Sequence, residues 1–473
     1  MDTNLQIYLD KNSKEAMYLQ LYKKLKSLIE NSALTDNYRL PSIRKMGQHL
    51  NVNNSTVINA YKLLEANGYA YSREGSGIYV INKGKTISNI ENNRTEFNIN
   101  PSAIVSKPSP TLDFSSSTPD GGIFPTSWFK EVVNEVLDRD GGQAFGYTES
   151  LGYAPLRQII AQYMNDEGIR CTEDNIQIIS GAQQGIDIIS RVMIDYGDII
   201  ITERPTYTGA IALFKSRGAN MIDIPISDRG IDIDELIKVL KITQPKFIYM
   251  MSNFQNPTGY SYDFKTKENL LQLAEKYDFF IIEDDYLSEL YFGQQKAVTL
   301  KSMDTYDRCI FIKSFSKIFM PGIRLGFLIV PSKLREKTLA VKHFTDISSS
   351  GFMQRVFDLF IRKDMFINHI NMMRAIFKER YEVITEILDK NTDILSYFKP
   401  EGGMHLWLKL NKELSSNILY SYSLKGGLII SPGSIFYTDK LHSEYFRLSY
   451  ASTDIDKIQK GVNVLIKNIN EII

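Results

Sequence analysis

From Ala16 to Asn31 apolar side chains recur at Leu21, Leu25, Leu28 and Ile29, the spacing that lines one face of a helix. A break at Leu34–Leu40 ends this run, and Pro41-Ser42 opens a second helix over Ile43–Leu50. Asn51-Val52-Asn53 is predicted to form a tight, mainly polar turn. A third helix is predicted from Ser55 to Asn67, with Val57, Tyr61 and Leu64 on one face and Gly68 as its stop. The period then switches to two: Tyr69–Ser72 and Gly77–Ile81 alternate around Arg73-Glu74-Gly75-Ser76, which predicts a β-hairpin.

Residues 82–109 keep neither period. Asn, Ser, Lys and Pro dominate there, and the stretch reads as a linker between two domains. Beyond it, short apolar runs at Ile176–Ile179, Asp198–Ile201, Phe247–Met251, Phe279–Ile282, Cys309–Ile312 and Gly326–Val330 are mostly separated by helical stretches. That is the α/β pattern with a mostly parallel sheet. From about Asp364 a long charged helix mixes with further strands, predicting a smaller α+β subdomain. The expected organisation is therefore a small domain over 1–81, a linker over 82–109 and a large domain over 110–473.

Composition narrows the class. Of 473 residues, 43% are hydrophobic, too many for a disordered chain. Lysine plus arginine equals aspartate plus glutamate at 55 each, so any basic surface is local. Two cysteines, Cys171 and Cys309, make neither a disulfide scaffold nor a cysteine-rich zinc site. The five histidines show no H-x-H or HExxH spacing, so no metal is expected. No run reaches the ~18 apolar residues that span a membrane. Charges stand where a signal peptide has its apolar centre. The expectation is a soluble, cytoplasmic protein.

A local surplus of positive charge does exist. Residues 21–62 hold seven Lys or Arg against two acids, as phosphate contacts on one face require. A helix entering a major groove carries small polar side chains at its start, and Asn54, Ser55 and Thr56 supply them, with Asn59 about one turn on. Charge and periodicity alone also suit a helical protein-interaction module with solvated lysines. The run from Tyr18 to Val80, with its Leu40-Pro41-Ser42-x-Arg44 signature, Ser55-Thr56-Val57 helix start and Gly75-Ser76-Gly77 tip, resembles the winged helix-turn-helix domain of the GntR superfamily of bacterial regulators. The resemblance implies that Arg44 contacts DNA, that Asn54, Ser55 and Thr56 meet the groove, and that the wing at Gly75–Gly77 approaches the minor groove. Family members often carry arginine at the positions of Asn54 and, nearby, Ile58. Two phosphate or guanine contacts are thereby missing, which gives dimerisation or paired sites more weight.

Chemistry concentrates in the large domain. Ser314-Phe315-Ser316-Lys317 follows the apolar run CIFI, and Arg324 lies seven residues beyond the lysine. A lysine just past a strand end, with hydroxyls and an arginine nearby, suits an imine with an aldehyde cofactor whose phosphate is neutralised by Ser and Arg. An exposed loop lysine beside an unrelated arginine would look the same. Glu283-Asp284-Asp285-Tyr286 ends another strand with carboxylates, either a partner for a pyridine nitrogen or a simple helix cap. Ser180-Gly181-Ala182 follows strand IQII and opens a helix whose free N–H groups could hold phosphate; such turns also occur without ligand. Asn253–Gly259, containing Asn256, follows strand FIYMM and alone reads equally as a Pro-Gly turn.

In this order and spacing the fragments resemble the fold-type I pyridoxal phosphate enzymes of the aminotransferase class I/II family, over about residues 111–473. The resemblance implies pyridoxal 5'-phosphate as cofactor and Lys317 as the imine-forming lysine. It also implies Asp284 at the pyridine nitrogen and Tyr286 and Asn256 near O3′. Ser314, Arg324 and the backbone of Gly181 and Ala182 fall at the phosphate, and Tyr207 against the ring. Tyr147 is expected to reach the phosphate of a neighbouring subunit, and Arg447 to clamp a substrate α-carboxylate, which a guanidinium fork fits bidentately. A GntR-like reader joined to such a domain resembles the MocR/GabR type of regulator. That implies a head-to-tail homodimer that binds operator DNA and senses an amino compound, or the cofactor itself. The intact Asn-Pro-Thr-Gly motif keeps open a working aminotransferase that carries a DNA-binding arm.

Overall fold

A computed structural model describes residues 7, 9, 16–30, 34, 38–50, 52–66, 69–73, 77–80, 112–412, 414–439 and 443–472. The chain divides into two compact units, Met1–Ser106 and Lys107–Ile473. The expected linker, along with Gly68 and Gly75, lies outside the described residues.

In the first unit, α1 (Met17–Glu30), α2 (Ile43–Leu50) and α3 (Asn54–Ala66) precede a hairpin of β1 (Ala70–Arg73) and β2 (Gly77–Val80). The predicted apolar faces meet in one core: Leu21, Leu25, Ile29, Val57, Tyr61 and Leu64 are buried with Met46 and Val80. Burial of that stripe, rather than intrinsic propensity, holds such short helices. The Tyr61 hydroxyl finds its partner in the Pro41 carbonyl at 2.8 Å. Asn54 is the first residue of α3, one position earlier than the sequence predicts. The α2–α3 turn is tight: a Cβ on Gly47 would stand 2.9 Å from Asn54 Oδ1 and 3.2 Å from the Val52 carbonyl.

The second unit is built on an eight-stranded mixed sheet. Its strands are β3 (Ile176–Ile179), β4 (Ile199–Arg204), β5 (Asn220–Ser227), β6 (Gly230–Ile231), β7 (Phe247–Met250), β8 (Phe280–Asp285), β9 (Cys309–Ser314) and β10 (Gly326–Ile329). Their order is β3-β10-β9-β8-β7-β4-β5-β6. The run β9-β8-β7-β4-β5 is parallel, and β10 and β6 are antiparallel to their neighbours. Strands β3, β7, β9 and β10 are buried along their whole length, which is why they read as continuous apolar runs. A second sheet has β11 (Leu395–Tyr397), β12 (His405–Leu410), β13 (Ser431–Pro432) and β14 (Tyr445–Ser449) in the order β11-β12-β14-β13; it shares one apolar core with the 24-residue helix Met365–Leu388 and the final helix Ile455–Ile472, which pack on each other. This is the smaller α+β part that the tail predicts. No helix among the described residues is long and apolar enough to cross a membrane.

The strands differ from the sequence reading at their carboxyl ends. β4 runs to Arg204, β8 to Asp285 and β9 to Ser314, each two or three residues beyond the apolar run. β5, only partly buried, was not foreseen. Polar side chains are placed at these carboxyl ends because ligand crevices of open parallel sheets form there.

Candidate functional site

The carboxyl ends of β7, β8 and β9 open into a cavity of about 290 Å³. Ala182, Tyr207, Asn256, Asp284, Tyr286, Ser314, Lys317 and Arg447 all line it, together with Ser117, Thr208, Met251, Ile435 and Phe436. Three of the sequence-derived candidates stand outside the lining. Gly181 immediately precedes the helix Ala182–Met193 and has φ +93°, a left-handed conformation that suits glycine. Arg324 lies against it: a Cβ on Gly181 would be 2.9 Å from Arg324 Nη2, which donates to the Ser180 carbonyl. Tyr147 is 86% exposed on this chain.

Asp284 faces the cavity from the end of β8 and is buried. Its Oδ2 accepts a 2.6 Å hydrogen bond from the Tyr249 hydroxyl on β7, while Oδ1 is buried without a partner among the described residues. Burial raises this carboxyl to about 6, Tyr249 opposes the shift, Asp285 adds to it and Lys313 offsets it. The Lys317 amine is lowered to about 8, first by burial and then by the charges of Arg447 and Arg324. A lysine there is partly neutral near physiological pH, the condition for a nucleophilic amine.

Arg447, on β14, is 7% exposed, and burial lowers it to about 10. Its Nη1 donates to Asn256 Oδ1 at 2.7 Å, and Nη2 donates to the Ser115 carbonyl at 2.6 Å and to Ser431 Oγ at 3.2 Å. Nε is buried without a partner among the described residues, and the Phe436 ring lies 5.1 Å from the guanidinium carbon. Tyr286 donates to the Phe254 carbonyl at 2.8 Å, and Tyr207 donates to Gln183 Oε1 at 3.1 Å. The loop bearing Asn256 is anchored by buried Glu203, which accepts from Gln255 Nε2 at 2.9 Å and from Tyr262 at 2.8 Å. Sequence reasoning missed Tyr249, Ser115, Ile435 and Phe436. Tyr249 alone had a signal, a phenol at mid-strand beside the strand that carries Asp284.

In the first unit, Arg44, Asn54, Ser55 and Asn59 are exposed, Thr56 is half-buried, and Gly77 is exposed at the start of β2 with φ +120°. Lys45 and Lys62 are exposed on α2 and α3 respectively. Asn54, Ser55 and Asn59 thus occupy the solvent side of α3, whose other side forms the core, and Arg44 the solvent side of α2.

Comparison with known proteins gives both units relatives. Residues 110–465 match the aminotransferase class I and II family, and residues 17–80 match the bacterial regulatory proteins of the gntR family. The chain is 29% identical to an uncharacterized HTH-type transcriptional regulator, YdfD, of Bacillus subtilis, over 98% of each chain. The crystal structure of kynurenine aminotransferase from Pyrococcus horikoshii, in complex with PMP, superposes with a TM-score of 0.75 at 29% identity, covering 79% of this chain and 93% of that one. An α-aminoadipate aminotransferase, LysN, from Thermus thermophilus, complexed with N-(5'-phosphopyridoxyl)-L-leucine, gives 0.72 at 30% identity, over 76% and 92%.

Proposed function

Because the chain belongs to the aminotransferase class I and II family and carries a gntR-family DNA-binding unit at residues 17–80, we propose that it is a transcriptional regulator that reads an amino compound through a pyridoxal phosphate site. The observation that carries the reading is the cavity itself. A buried carboxylate with one unpartnered oxygen, Asp284, lines the same space as a lysine of lowered basicity, Lys317, and a buried arginine, Arg447. That donor set fits the cofactor: a protonated ring nitrogen would answer Asp284 Oδ1, which has no partner among the described residues, and the backbone at Gly181–Ala182 with Ser314 and Arg324 suits a phosphate at a helix N-terminus.

Bound there, pyridoxal phosphate supplies an aldehyde carbon that takes up primary amines reversibly. The chain's residues do the rest. Lys317 would present the amine that holds the cofactor, its lowered basicity leaving part of it neutral near physiological pH. Asp284 keeps its charge toward the ring nitrogen. Tyr207 packs as an aromatic platform, and Asn256 and Tyr286 turn polar atoms toward the ring oxygen. Arg447 takes the carboxylate of the effector, with Asn256 holding its fork in place.

The functional unit in this reading is a homodimer, head-to-tail, with Tyr147 of each copy serving the other's phosphate. Tyr147 is 86% exposed on the single chain, which leaves it accessible to a second copy. Effector occupancy shifts the arrangement of the two large units, and only a difference in affinity between arrangements can do so. Full-length relatives named as HTH-type regulators favour this over an aminotransferase with a DNA-binding arm. The test is fluorescence anisotropy of the full chain on duplexes selected by the chain itself, with pyridoxal phosphate and a panel of amino acids, ω-amino acids and dipeptides. The reading expects at least one amine to move the binding curve. Steady keto acid production with no amine altering DNA occupancy would favour the enzyme.

A further inference from the structure

Lys313 sits on β9 four residues before Lys317, on the side of the sheet away from the cavity. The parallel register places Ile312 opposite Asp284 and Lys313 opposite Asp285. Side chains alternate along a strand. Asp284 therefore faces the cavity, whereas Asp285 and Lys313 share the far face. There the Lys313 side chain is 1% exposed, with Nζ 2.7 Å from Asp285 Oδ2, 2.6 Å from Glu289 Oε2 and 3.0 Å from Ser288 Oγ. The Tyr163 hydroxyl donates to the other Glu289 oxygen at 3.0 Å. Two buried carboxylates thus surround one buried cation, directly behind a third buried carboxylate, Asp284.

We propose that Lys313 is a positioning residue for the cofactor site: its charge, held on the far face by Asp285 and Glu289, keeps Asp284 ionised for the ring nitrogen of pyridoxal phosphate. The inference rests on the cofactor reading above. Without Lys313, three carboxylates would share the end of one strand, β8, and the segment just after it, and like charges at such range drive one another to the neutral form. Packing does not explain the lysine, since a buried ion pair rarely stabilises more than apolar residues of equal volume. Asp284 is poised for such control. Burial leaves it at about 6, with Tyr249 and Lys313 favouring the charge and Asp285 opposing it. The phenols Tyr207 and Tyr286 also face it, and burial pushes both above their ordinary range, so they stay neutral across the pH range concerned.

The test is a pyridoxal phosphate titration of the full chain, followed by absorbance over a series of pH values. In the unsubstituted protein, affinity falls as pH drops through the range where Asp284 takes up its proton. Lys313→Gln is expected to move that acid limb upward by about one pH unit, weakening uptake about fivefold at pH 6. Lys313→Arg restores the limb. The double variant Lys313→Gln/Asp285→Asn removes the two opposed charges that act on Asp284 and is expected to return the limb to its original pH although the ion pairs are gone. A purely structural role predicts weaker uptake at every pH and no recovery in the double variant, and either result overturns the proposal. If Lys313→Gln fails to fold, the double variant decides: an unmoved limb supports the electrostatic role and a displaced one overturns it. Failure of the unsubstituted chain to take up the cofactor at any pH would instead overturn the cofactor reading on which this one stands.

Discussion

Arg447 Nη1 donates a 2.7 Å hydrogen bond to Asn256 Oδ1, linking a strand of the small sheet to a loop at the carboxyl end of the large one. Both residues are buried, and Arg447 lies within the cavity wall. One side chain thus positions the guanidinium and also faces the cofactor space. Asn256→Ala leaves a buried guanidinium N–H without its acceptor, a loss of about 1–3 kcal/mol. Effector affinity, read from the concentration dependence of the spectral change, is expected to fall by at least tenfold. Arg447→Lys is expected to lose as much, because an ammonium cannot replace the planar fork.

In the proposed reading, Lys317→Ala removes the amine that would attach the cofactor. Borohydride reduction followed by mass measurement is expected to show a pyridoxyl adduct on the unsubstituted chain and none at this position in the variant. DNA binding without effector stays within about twofold, and the response to effector disappears. A normal response in Lys317→Ala would contradict the sensor mechanism.

The lowered basicity of Lys317 sets a pH dependence. Its ordinary value is 10.5, and burial with two nearby cations brings it to about 8 in the folded, cofactor-free chain. Only the neutral amine attacks an aldehyde. The rate of cofactor uptake is therefore expected to rise with pH and level off above about 8, measured by stopped-flow absorbance. A rate still climbing towards pH 10 would mean that the amine behaves as a solvated lysine.

Gly181 carries a second local demand. At φ +93° a side chain is strained by about 1–3 kcal/mol, and its Cβ would also stand 2.9 Å from Arg324 Nη2. Gly181→Ala is expected to weaken pyridoxal phosphate by about tenfold while the DNA-binding unit keeps its cooperative melt, followed by circular dichroism.

At the DNA-binding unit, Arg44 and Asn59 are predicted to act differently. Arg44→Ala is expected to weaken binding to all sequences and to reduce the slope of log affinity against log salt by about one. Asn59→Ala is expected to change base preference at one position with little change in the salt slope. Anisotropy on a set of single-base variant duplexes at three salt concentrations separates the two.

Much of this architecture was legible in the chain because burial writes itself as pattern. The helix faces Leu21-Leu25-Ile29 and Val57-Tyr61-Leu64 and the continuous runs of β3, β7, β9 and β10 are buried where their periods predict. The strand ends were harder. Glu203, Asp285 and Ser314 remain in strands although they are polar, because the sheet delivers them to a crevice and to buried partners. β5 was missed although Ile222, Ile224 and Ile226 alternate with Asp223, Pro225 and Ser227: only Ile224 is fully buried, and a proline within the run argues against a strand. In the cavity, the candidates near glycine, proline or lysine landmarks were legible. Ser115 and Phe436 were not: they meet Arg447 only through tertiary folding, from segments with no local signature.

The most direct test of the central claim is a visible absorption spectrum of the purified chain with pyridoxal phosphate, followed over time as amino compounds are added. The account predicts that one class of amine shifts the cofactor band, that the shifted band persists, and that no keto acid accumulates. Conversion of the band to the pyridoxamine form, with one equivalent of keto acid per site, would contradict it and establish a working aminotransferase.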